Sequence, residues 1–173
     1  MLADDDTHTI NTTMGSVTAP PAGDDTQTDV EGTSGSDTLT GDDNGDIIHG
    51  QDGDDSVTGG AAHDAINGMA GNDIADGGGG DDWVLGGKGD DVLHGGDGDD
   101  LVNGNLGNDT AMGDAGNDVI RGGQGDDSLS GGAGDDWLSG DKGNDTMTGG
   151  PGADTFNIFA GGGQDVVTDF NAS

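Results

Sequence analysis

The sequence predicts an all-β fold, a β-solenoid of two short-stranded parallel sheets with 18 residues per coil. Three columns in register predict it. Residues 32 to 157 divide without a gap into fourteen nonapeptides, from Gly32-Thr33-Ser34-Gly35-Ser36-Asp37-Thr38-Leu39-Thr40 to Gly149-Gly150-Pro151-Gly152-Ala153-Asp154-Thr155-Phe156-Asn157. Place one of every unit is Gly, place six is Asp and place eight is apolar. A fixed-period repeat over so long a stretch specifies a stack of coils, each covering its neighbour.

The elements follow from the unit. Places one to six hold glycine, polar residues and Asp, and glycine reaches the open and left-handed backbone that a tight turn requires. Places seven to nine read x-apolar-x, a minimal strand with one side chain inward and two outward. Two units make one coil of two strands, so alternate strands stack in parallel and place eight fills the space between the sheets. Fourteen units give seven coils. Ala75 and Ala111 are thin points of that core, and both fall on one sheet. Place four is Gly except at Asn44 and Ala62. Ala62 suits the glycine conformation poorly, so the turns near His63 are expected to depart most from the pattern.

Composition bounds what such a chain does. Of 173 residues, 40 are Gly, only 28% are hydrophobic, and 36 acids face Lys88, Arg121 and Lys142 for a formal net charge of −33. A chain this acidic and this poor in apolar residues does not fold unaided. The missing ingredient carries positive charge. The acids are Asp apart from Glu31, there is no Cys, and the four His form no repeated column. Oxygen donors alone select a hard cation, calcium before zinc or copper. Nucleic acid is excluded as a partner by the scarcity of basic residues. No Gly-x-Ser-x-Gly elbow and no His-Glu-x-x-His motif occurs, so the chain does not read as an enzyme. An EF-hand is excluded because its closing Glu is absent.

The flanks differ from the repeats. Residues 1–31 read as an acidic disordered segment with no apolar periodicity. Its start has no basic region and no apolar run, unlike a Sec-type signal peptide. After Asn157 the register breaks, and residues 158–173 read as a cap in which Phe156, Phe159, Val167 and Phe170 cover the last layer. Outward place seven carries a further pattern. In alternate units it reads Ile47, Ala65, Trp83, Leu101, Val119, Trp137 and Thr155, whereas the other units are mostly polar there. That apolar column suggests a surface for a protein partner or for self-association.

The nonapeptide resembles the calcium-binding repeat of the RTX family, the hemolysin-type proteins of bacterial type I secretion. The resemblance implies a right-handed parallel β-roll. It implies calcium ions between successive turns on each side, held by place-six carboxylates and turn carbonyls. The carboxylates so assigned are Asp37, Asp55, Asp73, Asp91, Asp109, Asp127 and Asp145 on one edge. On the other they are Asp46, Asp64, Asp82, Asp100, Asp118, Asp136 and Asp154. It also implies a secreted module, unfolded at low cytosolic calcium and folded outside the cell. Such a module could serve a lipase, protease or cytolysin, or a structural or adhesive surface protein.

Overall fold

A computed structural model describes residues 28–170, together with strand residues 9–10 and 16–18. All of its regular structure is strand. In chain order the strands are β1 (Thr9–Ile10), β2 (Ser16–Thr18), β3 (Thr28–Glu31), β4 (Thr38–Thr40), β5 (Asp46–Asp52), β6 (Ser56–Gly60), β7 (Ala65–Ala70), β8 (Ile74–Gly79) and β9 (Trp83–Lys88). The second half continues with β10 (Val92–Asp97), β11 (Leu101–Leu106), β12 (Thr110–Ala115), β13 (Val119–Gln124), β14 (Ser128–Ala133), β15 (Trp137–Lys142), β16 (Thr146–Thr148), β17 (Thr155–Asn157) and β18 (Val166–Val167). Odd strands form one parallel sheet, β1 to β17 in order, and even strands form the other, β2 to β18. We call them the tryptophan sheet and the alanine sheet, after Trp83 with Trp137 and Ala75 with Ala111.

Register follows the 18-residue coil. Val84 pairs with Val102 and Leu93 with Ala111, so each place-eight residue stacks on the one a coil away. The column from Leu39 to Met147 is buried between the sheets as a single core, including both alanines. Outward neighbours at places seven and nine alternate with it, as the period of two requires.

Two features go beyond the repeat as read. The central strands run for six residues, not three, because the chain stays extended through places one to three of the next unit and turns only over places four to six. The glycine-rich half of the unit is therefore mostly sheet. The stack also extends past the repeats at both ends. Val30 is buried at the head of the core, and Thr28–Glu31 pairs in parallel with β5. These four residues belong to the sheet and not to a disordered segment, since Val30 falls on place eight of a unit that carries Thr28 where Asp would stand. Strands β1 and β2 also pair onto the stack, while the rest of residues 1–27, expected to be disordered, lies outside the described residues.

At the C-terminal end β18 pairs with β16, and Phe156 and Val167 pack on the core. Phe170 meets Phe156 edge to face, with centroids 6.4 Å apart. Asp169 closes the layer by accepting the Gly149 and Gly150 N–H groups at 3.0 and 2.8 Å. Phe159 and Phe170, both expected to cover this layer, are instead 51% and 70% exposed.

Candidate metal centre

Each turn is shaped by its backbone. Gly89, at place four, has φ +126°, and a side chain there would run into the Gly71 carbonyl of the preceding coil. Asn44 and Ala62, the two non-glycines at place four, are absent from the left-handed set, so those turns solve the corner differently. The difference does not propagate to Asp64 and Asp82, whose Oδ1 atoms accept the Asp46 and Asp64 N–H groups in the common arrangement, each at 2.7 Å.

The fourteen place-six carboxylates form two ladders, one on each edge of the roll. Asp37 through Asp145 are buried and Asp154 is half-buried. Each ladder bond joins coils. The Asp37 N–H donates to Asp55 Oδ1 at 2.8 Å, Asp73 N–H to Asp91 Oδ1 at 2.8 Å, and Asp82 N–H to Asp100 Oδ1 at 2.7 Å. The pairs are those expected from the spacing, 18 residues apart on the same side.

The second carboxylate oxygens are in a different state. Oδ2 of Asp55, Asp64, Asp73, Asp82, Asp91, Asp100, Asp109, Asp118, Asp127, Asp136 and Asp145 is buried with no hydrogen-bond partner. In the first two units the oxygen is satisfied: Thr33 N–H donates to Asp37 Oδ2 at 2.6 Å and Asp42 N–H to Asp46 Oδ2 at 2.7 Å. A buried carboxylate oxygen without a donor is costly, and native proteins seldom leave one. A row of eleven calls for a cation.

Place one provides the space. A Cβ on Gly50 would lie 2.5 Å from Asp55 Oδ2 and 2.7 Å from the Gly68 carbonyl oxygen, so a carboxylate and a carbonyl of the adjacent coil converge on the volume a side chain would fill. This explains why place one admits only glycine. Among the described residues no three His, Cys, Asp or Glu gather at one point, so carbonyl oxygens must complete any shell. A donor set of carboxylate and carbonyl oxygens fits a hard cation of the calcium type.

Electrostatics agree with the geometry. Burial pushes the carboxyls of Asp64, Asp91, Asp118 and Asp127 up to about 7, and those of Asp55 and Asp82 to about 6. The ladder N–H of the preceding coil partly offsets burial, and neighbouring carboxylates mostly add to it. Asp73, Asp100, Asp109, Asp136 and Asp145 shift the same way, again mainly by burial.

Three features lie outside the columns read from the sequence. Place five forms a second ladder of opposite polarity, in which the earlier coil's side chain accepts. Asn72 N–H donates to Asp54 Oδ1, Asp90 N–H to Asn72 Oδ1, Asn108 N–H to Asp90 Oδ1 and Asp126 N–H to Asn108 Oδ1, all at 2.8–2.9 Å. Place two is a second left-handed position, occupied even by Gln51, Met69, Asn105, Asp114 and Asp141. The ladders also continue beyond Asn157: Gln164 N–H donates to Asn144 Oδ1 at 3.1 Å and Asp145 N–H to Asp165 Oδ1 at 3.3 Å, both across 20 residues instead of 18. Two extra residues loop outward and carry Phe159 to the surface before the turn geometry resumes at Gly163.

On the outer faces, His49 pairs with Glu31 and His94 with Asp114, each at 2.8 Å, so both place-nine histidines are held by acids of a neighbouring strand. His63 sits at place five and meets Trp83 edge to face at 5.8 Å. Among the described residues no helix is long and apolar enough to cross a membrane.

Seven overlapping segments, the first 31–66 and the last 130–167, match the family model described as the RTX calcium-binding nonapeptide repeat (4 copies). No similar curated protein is found. Together the segments span residues 31–167, the stretch that forms both aspartate ladders. The chain therefore belongs to the family of RTX calcium-binding nonapeptide repeats, and calcium binding in a β-roll is the property that membership brings.

Proposed function

We propose that the place-six carboxylates are the calcium ligands, with one ion held per gap between same-side turns, and that ion binding and folding are a single event. The observation that carries this reading is the row of buried, unpartnered Oδ2 atoms from Asp55 to Asp145. Bound calcium supplies the positive charge those oxygens lack. The ladder N–H groups orient each carboxylate by its Oδ1, place-one glycines keep the second oxygen accessible to an ion, and the place-eight column excludes water from the inner side. Without divalent cations the same carboxylates repel one another, and the acidic chain stays expanded.

The RTX family is typically one of secreted bacterial proteins, and the switch suits that setting. At low cytosolic calcium the chain remains unfolded and able to thread a channel. Outside, sites of the extracellular-module class with affinities of about 10⁻⁴–10⁻³ M fill, and the roll forms. The chain acts as a non-catalytic module, attached to a secreted enzyme or cytolysin or serving in a surface protein. A far-UV circular dichroism titration from a chelated start tests the coupling. Calcium gives a cooperative coil-to-β transition and magnesium does not. A β-rich spectrum in chelator at neutral pH would overturn the reading.

We also read the place-seven column of the tryptophan sheet as a contact strip for a protein partner or second copy. Trp83 is 56% exposed, Val119 is exposed beside half-buried Leu101 and Trp137, and Ile47 is half-buried further along the same column. Replacing Trp83 and Trp137 by Thr weakens any such association. An unchanged mass in solution and unchanged partner binding would remove this second reading.

A further inference from the structure

We propose that the outer face of the tryptophan sheet holds a groove for an extended, carboxylate-bearing glycan chain. Two clefts of about 530 and 580 Å³ lie on this face. Both are lined by Asn105 and Gln124, so they join into one groove that crosses β5 to β15 along the stacking direction.

Charge sets the class of ligand. Lys88, Arg121 and Lys142 are the only lysine and arginine residues of a chain with net charge −33, and all three line the groove. Among the described residues neither lysine has an ion-pair partner, and both are exposed. Arg121 is held in place by Asp141 Oδ2, with Nε at 3.0 Å and Nη2 at 2.5 Å. The outer face of the alanine sheet carries no lysine or arginine on β8 to β14, and has Asp76, Asp97 and Asp114 instead. The lysines and the arginine are thus confined to one face, where the groove also holds Asp52 and Asp141; Asp141 pairs with Arg121, and Lys88 and Lys142 remain free to meet carboxylates.

The remaining lining favours sugar over peptide. Asn105 and Gln124 each offer donors and an acceptor at one site, which matches the hydroxyl groups of a glycan. Gly87 and Gly123 leave the floor without side chains, so a flat ring can approach the backbone. Phe159, carried outward by the two-residue insertion, walls one end with an exposed aromatic face. Strands stack at about 4.8 Å, close to the advance of one pyranose ring in an extended chain, so one ring falls on each coil.

The test is calorimetric, with the calcium-loaded full chain at one fixed free-calcium concentration. The probes are a hyaluronan octasaccharide, a neutral cello-oligosaccharide and poly-glutamate. The octasaccharide binds, and the neutral and peptide probes bind at least tenfold more weakly. Lys142→Gln and Arg121→Gln each weaken octasaccharide binding about tenfold, and Asp97→Asn on the opposite face leaves it unchanged. Lys142 has no partner to lose, so that variant keeps the test valid if Arg121→Gln perturbs the fold. Absence of octasaccharide binding would overturn the proposal. So would binding indifferent to Lys142→Gln, which is the signature of carboxylates bridged by calcium. Poly-glutamate binding as tightly as the glycan would instead assign the face to acidic peptides.

Discussion

Asp73 uses its two carboxylate oxygens differently. Oδ1 accepts the Asp55 N–H of the preceding coil at 2.9 Å, and Oδ2 is buried beside Gly68 with no hydrogen-bond partner. One oxygen builds the coil-to-coil ladder and the other stands open to an ion. The two roles are separable by substitution.

Asn at place six preserves the ladder acceptor and removes the charge. Asp100→Asn is expected to raise the calcium midpoint and to lower the stability of the calcium-loaded roll by about 1–3 kcal/mol. Asp100→Ala also removes the acceptor from the Asp82 N–H and costs more, with calcium or without. Thermal melts of both variants in calcium and in chelator check the ordering. Equal loss from the two variants in calcium would mean that the ladder bond contributes nothing and that only the charge matters.

Acid should partly replace calcium. Ordinary aspartate titrates at 3.8, and burial raises the folded-state carboxyls of Asp64, Asp91, Asp118 and Asp127 to about 7. Between those values the metal-free roll binds more protons than the unfolded chain, so its stability falls as pH rises through roughly 4 to 7. In chelator, β-structure is therefore gained on acidification from pH 7 to 5 and lost on return. With calcium present the sign reverses, because protons compete for the same oxygens. The calcium midpoint rises as pH drops below about 7. Circular dichroism across a pH and calcium grid measures both.

Place five predicts a salt-dependent effect. On one edge Asp and Asn alternate along the ladder, as Asp54, Asn72, Asp90, Asn108, Asp126 and Asn144. Asn108 also donates its Nδ2 to Asp90 Oδ1 at 3.3 Å. Asn108→Asp would stack three carboxylates on adjacent coils and lose that donor. A destabilisation of up to about 1 kcal/mol follows at low ionic strength, shrinking at high salt because these side chains are exposed. Melting with and without added sodium chloride checks both parts.

The columns legible in the sequence were those where a single residue type meets the need. Only carboxylate serves at place six and only glycine fits beside it at place one, so both repeat without exception. Place eight requires only bulk, and its apolar character still showed through Ala75 and Ala111. Place two was hidden because its requirement is conformational and is met by residues as different as Gln51, Met69 and Asp114. The first three places resemble a turn in composition, which concealed half of each strand. Asp165 was missed because two inserted residues shift it out of register, although Gly163, Gln164 and Val167 keep the order of the unit around it. Val30 was missed because Thr28 replaces the marker Asp.

The strained place-two residues give the last prediction. Met69 has φ +79°, in the left-handed region that costs an L-residue about 1–2 kcal/mol. Its pair partner on β9 is Gly87, which adopts φ +116° without a Cβ to clash. Met69 is 39% exposed and outside the core, so its side chain contributes limited burial. Met69→Gly relieves the strain but frees the unfolded backbone, which offsets up to about 1 kcal/mol. A net gain of up to about 1 kcal/mol is expected in calcium, seen as a higher melting temperature with an unchanged spectrum. Met69→Val should lose stability, since a β-branched side chain tolerates this conformation least. If both variants melted below the parent by similar amounts, the packing of Met69 on the outer face would outweigh its backbone strain.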